Sequence, residues 1–361
     1  MRLFQNIFSF PSYRTRLASL ALRQVNFKKW IEALVADGYN GVHLLDPVVC
    51  RNPDAFLTAG CDPQLQKIWA SEHGMNTACA LPDILLAQVE EHRTEVFYTQ
   101  EPATYGPDFL KRLPGCVKRK ICWQSPPAPL GDLTSYDLVL NNFPESLAEY
   151  GRQGVLTAYF TPSFDPVMAD YASNENRPID VVFIGGYSRH HQNRAVILEA
   201  VARLRKRFNI VFALDRGRLT RLAESPIGRY LPLGRHRRPA DVQVVSTRPV
   251  FGRAMYQLLS NAKIVLNGAV DSAGGDRGNM RCFEALGCGS LLLSDPGRYP
   301  AGMEQGVTME TYANEVEAVS LIAELLSDST RLATIAANGV RLMQDRYSKG
   351  QQWARFQELA S

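Results

Sequence analysis

Gly278–Asp295 reads GNMRCFEALGCGSLLLSD, and its spacing decides the fold. A glycine-containing loop runs into a short helix, about Asn279–Leu286. A Gly-Cys-Gly stop follows, and then an apolar strand, Ser290–Ser294. Loop amides and a helix N-terminus together favour an anion such as a diphosphate. Arg281 and Glu284 stand one turn apart on one face of the helix. A guanidinium suits a phosphate, and a carboxylate can accept both hydroxyls of a ribose. Spacing alone leaves a second reading open, an ordinary helix–strand unit with a surface ion pair.

The same residues carry a resemblance. Glu284-Ala-Leu-Gly-Cys-Gly289 before a core strand resembles the nucleotide-binding element of GT-B glycosyltransferases. Asn279-Met-Arg-Cys-Phe-Glu-Ala285 is most similar to the CgeB-like (spore-maturation-type) group. The likeness runs over Val181–Asp295 and is diffuse before that. It implies a GT-B architecture, two Rossmann-like domains facing a cleft. It also implies sugar transfer from a nucleotide donor without a bound metal, because amides and arginine take the charge of the leaving diphosphate. In retaining members two glutamates separated by seven residues hold the donor; the second falls on Glu284 and the first on Asp276, a shorter carboxylate.

Length and composition agree with a globular protein of two domains. At 361 residues the chain exceeds the size of one economical core. Apolar residues make up 45% and charged residues 21%, ordinary for a globular protein. No apolar run is long enough to span a bilayer. The N-terminal MRLFQNIFSFPSYRTRL is too broken by Asn6 and Pro11 for a signal peptide, so it reads as a first strand and the protein as cytoplasmic. Seven cysteines without a Cys-Xaa-Xaa-Cys pair argue against disulfides and structural zinc, and the histidines show no metal spacing. No metal or other cofactor is expected beyond the activated sugar donor itself. The net charge of +4 is local: Arg203–Arg238 holds 11 Lys/Arg against Asp215 and Glu224. Such a run is a solvated face, or meets a phosphate-rich lipid or a membrane surface. With no nucleic-acid motif beside it, nucleic acid is not an expected partner.

Strand-like runs alternate with helical ones in both halves, the α/β grammar of parallel sheets. The first half has strands at Leu3–Phe8, Val42–Leu45, Val96–Thr99, Lys120–Trp123, Leu138–Leu140 and Leu156–Phe160. Thr161–Pro178, with its prolines and polar SNENRP, reads as a linker. Strands Val181–Ile184, Ile210–Leu214, Ile264–Leu266 and Leu291–Ser294 follow, then helices Glu317–Leu326, Ser329–Arg346 and Gln351–Leu359. Expected domains are 1–165 for the acceptor, 179–348 for the donor, and a 349–361 helix packing back on the first.

Ligands bind beyond the carboxyl ends of such strands, which selects the remaining candidates. In FIGGYSRHHQNR, Gly185 and Gly186 let backbone approach a ligand, with Arg189, His191 and Arg194 at the start of the next helix. In KIVLNGAVDSAGGDRGNMR, Asn267 ends a strand. Gly274, Gly275 and Gly278 mark a flexible loop bearing Asp276, expected to close over the sugar and diphosphate before Asn279 and Arg281. Asp46 and Glu101, each before a proline, follow strands of the first half, and either could serve as base for an inverting transfer. Arg14, in the loop Ser9–Arg16, could meet a phosphate. The expected function is transfer of a sugar to a saccharide or lipid-linked hydroxyl in cell-surface polysaccharide or glycoconjugate synthesis, with peripheral membrane contact as an option. A sugar-nucleotide epimerase, a silent nucleotide-binding protein and a phosphoribosyl-type donor are the alternatives.

Overall fold

The computed structural model describes residues 1–20, 26–124, 132–187, 192–268 and 274–361. Two compact units result: residues 1–165 with 347–361, and residues 166–346. Among the described residues each unit holds one wholly parallel six-stranded sheet.

The first unit runs β1 (Leu3–Asn6), α1 (Pro11–Leu20), α2 (Phe27–Asp37), α3 (Asp46–Val49), β2 (Ala55–Thr58), α4 (Pro63–Glu72), α5 (Leu81–Glu91), β3 (Val96–Thr99), α6 (Pro107–Leu110), β4 (Arg119–Trp123), β5 (Leu138–Asn141), α7 (Pro144–Arg152) and β6 (Thr157–Tyr159). The second runs α8 (Met168–Ala172), β7 (Ile179–Gly186), α9 (Gln192–Arg203), β8 (Ile210–Asp215), α10 (Arg218–Ala223), α11 (Ala240–Val244), β9 (Ser246–Thr247), α12 (Gly252–Ser260), β10 (Ala262–Leu266), α13 (Met280–Gly287), β11 (Leu291–Ser294), β12 (Glu310–Thr311), α14 (Glu315–Ser327) and α15 (Ser329–Arg346). The last helix, α16 (Lys349–Ala360), belongs to the first unit.

Strands such as LFQN, VFYT, LVLN and LLLS are buried at every residue, as sheets covered on both faces require. In the first unit Phe4, Phe97, Cys122 and Val139 form the core beneath Leu85 and Val89 of α5. In the second, Phe183, Phe212, Ile264 and Leu291 pack against Leu198 of α9 and Ile322 of α14. The sheet orders are β2-β1-β3-β4-β5-β6 and β12-β11-β10-β7-β8-β9. Successive strands therefore depart in opposite directions at β1/β3 in one unit and at β7/β10 in the other. Those two reversals open the crevices where ligands of such sheets bind.

Several sequence expectations need correction. Val42–Leu45 is no strand: Gly41–His43 is a 3₁₀ turn after Asn40, which has φ 58°. Side chains, with the Ser163 N–H on the Val42 carbonyl (2.8 Å), satisfy that backbone instead of a neighbouring strand. Gln5 Nε2 donates to the His43 carbonyl, Gln5 Oε1 accepts from Leu45 N, Lys349 Nζ donates to the Gly41 and Leu44 carbonyls, and Gln352 Nε2 donates to that of Val42. The strand beside β1 is the unforeseen Ala55–Thr58, in register with Leu3–Asn6. Ser9–Arg16 is no loop, because Pro11 opens α1 and the segment turns helical. The linker Thr161–Pro178 contains α8, anchored by buried Met168. Gly185 and Gly186 lie inside β7, paired with Leu214 and Asp215, rather than beyond it.

Candidate functional site

In the second unit the carboxyl ends of β7, β10 and β11 collect most of the candidates. Gly186 carries no neighbour within 4 Å of where a Cβ would stand, so backbone is open to approach there. At Gly185 an added Cβ would press on the Phe183 ring at 3.2 Å. Arg194, on the first turn of α9, reaches across the reversal and donates from Nη2 to the Gly268 carbonyl (2.6 Å). Arg189 and His191 lie outside the described residues.

Asn267, at the end of β10, is fixed from every side. Its N–H donates to the Leu293 carbonyl (2.8 Å), its carbonyl accepts from Tyr312 Oη (2.6 Å), and its Nδ2 donates to Ser294 Oγ (3.2 Å). Asn279 Nδ2 donates to Asn267 Oδ1 (3.3 Å). Asn279 occupies the N-cap position of α13, but its side chain makes no capping bond there. The amide that would ordinarily close the helix end is turned toward Asn267 instead. Gly278 before it has φ 103°, a conformation that favours glycine. Cys282 packs against this network, and burial pushes its thiol up to about 12, so it is a small apolar filler.

Arg281 and Glu284 do share a face, and they pair at 2.6 Å. The pair is not the surface pair of the plainer reading, since the Glu284 side chain is 1% exposed and Arg281 also contacts Met255 Sδ. Removing two charges from water costs several kcal/mol each unless geometry and ligands compensate. Asp276 is fully buried and accepts from Arg298 Nε (2.7 Å). Its segment is also tied through backbone: Arg277 N donates to the Arg298 carbonyl, and Arg298 N to that of Gly275. Arg277 pairs with Asp295 at 2.6 Å. The stretch expected to be a flexible closing loop is thus strapped down over residues 274–278; residues 269–273 lie outside the described set.

In the first unit the reversal between β1 and β3 holds a polar cluster around Glu101. Asn6 Nδ2 donates to both Thr99 Oγ1 (2.9 Å) and Glu101 Oε2 (3.0 Å), while Asn6 Oδ1 accepts from Gly60 N (2.7 Å). Burial raises the Glu101 carboxyl above its ordinary range, opposed by hydrogen bonds from Cys61 and Asn6 and by the charge of Arg14. Arg14, on α1, donates from Nε to Ser9 Oγ and from Nη2 to the Ser9 carbonyl, both at 2.9 Å. Ser9 Oγ in turn lies 3.5 Å from Cys61 Sγ. Asp46 is placed elsewhere. It opens α3 rather than ending a strand, accepts from Cys50 Sγ, and neighbours Lys349. The correction follows from the missing strand at Val42–Leu45.

Sequence reading missed Asn6, Ser9 and Cys61 beside Glu101, and Tyr312, Ser294 and Arg298 beside Asn267 and Asp276. Apart from the local Arg14–Ser9 bonds, their partners are 22 to 95 residues away, a separation that no local pattern reports. Among the described residues no three His, Cys, Asp or Glu side chains group to hold a metal, and no helix is long and apolar enough to cross a membrane.

Residues 189–358 match the family model described as glycosyl transferase-like. No curated protein matches the chain. Among solved structures, HepE of Anabaena in complex with UDP is 15% identical, with 99% of each chain covered and a TM-score of 0.58. A glycosyltransferase from Rickettsia africae is 10% identical over 99% of this chain and 97% of that one (TM-score 0.55). AviGT4, a glycosyltransferase involved in avilamycin A biosynthesis, is 15% identical over 99% and 96% (TM-score 0.52). The two six-stranded parallel sheets are those of the GT-B fold. The chain has the GT-B architecture, and its residues 189–358 are glycosyl transferase-like.

Proposed function

We propose that the protein is a glycosyltransferase that moves a sugar from a nucleoside-diphosphate donor to a hydroxyl of a saccharide or lipid-linked acceptor, in the synthesis of a cell-surface polysaccharide or glycoconjugate. The observation that carries the donor half is the convergence at the β7/β10 reversal of open Gly186, Arg194, the Asn267–Asn279 pair and the helix bearing Arg281 and Glu284. In this reading Gly185, Gly186 and Gly278 let backbone amides approach the diphosphate, and Arg194 and Arg281 meet its charge. Arg189 and His191 are assigned to the same task. Glu284 accepts the ribose hydroxyls, and Asp276 positions the sugar. Charge on the leaving diphosphate is met by amides and arginine, so neither a metal nor another cofactor is invoked.

The acceptor half rests on Glu101. A buried carboxylate with a raised pKa, oriented by Asn6 and facing Arg14, suits a general base that takes the proton of an acceptor hydroxyl in an inverting transfer. HepE structures with UDP and with UDP-glucose support a uridine nucleotide as the first donor to try. We further assign the chain to the CgeB-like group on Asn279–Ala285, and place it in the cytoplasm at the inner face of a membrane, where lipid-linked acceptors lie. The test is a thermal-shift panel of nucleoside diphosphates and sugar nucleotides. A matched donor at 100 times its dissociation constant adds about 2.7 kcal/mol of apparent stability. Product analysis with the donor alone then separates transfer from epimerisation, since an epimerase releases a new sugar without any acceptor. A panel with no stabilising nucleotide would sink the donor assignment.

A further inference from the structure

Between β8 and α11 the chain makes an excursion, Arg216–Arg238, whose polarity is inverted. Its one carboxylate, Glu224, is turned inward and gripped by Arg238, Nε to Oε1 at 2.6 Å and Nη2 to Oε2 at 2.8 Å, with both side chains almost fully buried. Arg237 is also spent on the interior, donating to the carbonyls of Ala223 (3.0 Å) and Gly228 (2.9 Å). Gly228 lies so close to the α10 backbone that a Cβ there would stand 1.8 Å from the Leu222 carbonyl oxygen. The excursion is therefore held in one shape by its polar groups.

To solvent it presents large apolar side chains: Leu219, Leu222 and Leu231 are exposed, Ile227 is 72% exposed and Tyr230 is 91% exposed. One exposed leucine is ordinary, but five large apolar side chains within Leu219–Leu231 are not. Arg218, Arg221 and Arg235 stand exposed among them, while Arg216, partly exposed, pairs with Glu224 at 3.5 Å. No outward carboxylate accompanies these cations within the excursion. Apolar side chains that sink below headgroups, ringed by cations that stay among phosphates, match a charged bilayer surface; a protein partner would need acidic groups interleaved at matching positions.

We propose that Arg216–Arg238 is a docking surface for an anionic phospholipid bilayer. Vesicle binding is measured without donor or acceptor, so this inference and the glycosyl-transfer reading can fail separately.

The experiment is flotation of the full chain with phosphatidylcholine vesicles, with and without phosphatidylglycerol. The parent is expected to float only with the phosphatidylglycerol vesicles. Arg218→Gln with Arg221→Gln should weaken partitioning about 30-fold, which is about 1 kcal/mol for each arginine near the surface. Ile227→Ser with Tyr230→Ser should keep recruitment at low salt but lose the fraction that resists raised salt. All four side chains are exposed, so both variants should melt as the parent does; should the apolar variant unfold, the arginine variant decides alone. Equal flotation with both vesicle types, or of parent and arginine variant, overturns the proposal. So does a parent that self-associates in solution through a contact abolished by Ile227→Ser and Tyr230→Ser, which would make the face an interface between copies.

Discussion

Replacing Glu284 by glutamine perturbs both the fold and the donor site, and the two effects separate by ligand. The carboxylate is almost wholly buried and pairs with Arg281 at 2.6 Å. Glutamine keeps an oxygen at nearly the same place, so the ion pair becomes a charge–neutral contact. The change from a fully ionic pair, added to an uncompensated and largely buried guanidinium, should cost about 2–3 kcal/mol of stability, below the 3–5 kcal/mol of outright removal of one partner. Nucleotide binding should weaken by a further ~1.5–3 kcal/mol, the range for hydrogen bonds to a charged group. Pyrophosphate should behave in the opposite sense, because Arg281 without its counter-charge attracts an anion more strongly. The assay is calorimetric titration of parent and variant with UDP and with pyrophosphate, beside urea unfolding of each without ligand. If the variant binds both ligands as the parent does, Glu284 touches no ribose and the pair is structural. If both ligands weaken equally, the site has merely loosened, and the ribose assignment fails as well.

Arg281→Ala should lower kcat more than it weakens donor binding, because charge on the leaving group grows in the transition state; a raised KM at unchanged kcat would contradict that role. Glu101→Gln should bind donor as the parent does yet lose transfer roughly 10²–10⁴-fold if the anomeric centre inverts, and near-parental transfer would exclude it as base. Asn6→Ala removes a hydrogen bond that lowers the Glu101 pKa, so the acid limb of kcat/KM against pH should move to higher pH; an unmoved limb would separate Asn6 from the base. Burial lowers Lys349 from its ordinary 10.5 to about 8. Between those values the unfolded chain holds more protons than the folded one, so stability should rise as pH climbs through that window, by about 3 kcal/mol at most. Lys349→Met should flatten that rise in urea midpoints, although the Gly41 and Leu44 carbonyls lose their donor. Activity should survive excess chelator, and rescue by manganese after its loss would overturn a metal-free transfer.

The sequence displayed most of the second unit because its signals there are local. Ser329–Arg346 carries a helical period throughout, and LLLS between a glycine stop and a turn is legible as a buried strand. The first unit was less open to reading. Val42–Leu45 has the composition of a strand, but its carbonyls are taken by side chains of Gln5, Lys349 and Gln352 and by the backbone N–H of Ser163, none of them near in sequence. Pro11 looked like an interruption and is a helix start. The arginine-rich stretch after β8 could be read for charge alone, because only the fold reveals which arginines turn inward. The same holds at the candidate site. Motif spacing singles out Asp276 and Glu284, whereas their attachment to Arg298 and burial against Met255 depend on tertiary packing.

The first unit is assembled from two pieces of chain, and this imposes an order on biosynthesis. Its sheet is complete by β6, but the Gly41 and Leu44 carbonyls await Lys349 of α16, and Tyr98 and Phe160 await Phe356. The intervening residues 166–346 are contiguous and can close their own core as they leave the ribosome. At about 5–20 residues per second, the early unit spends roughly 10–40 s with that seam open while its neighbour is made. A ribosome stalled shortly before the final helix would release a chain whose second unit is finished and whose first is not, and quality control would find its unpaired carbonyls and bare aromatics there.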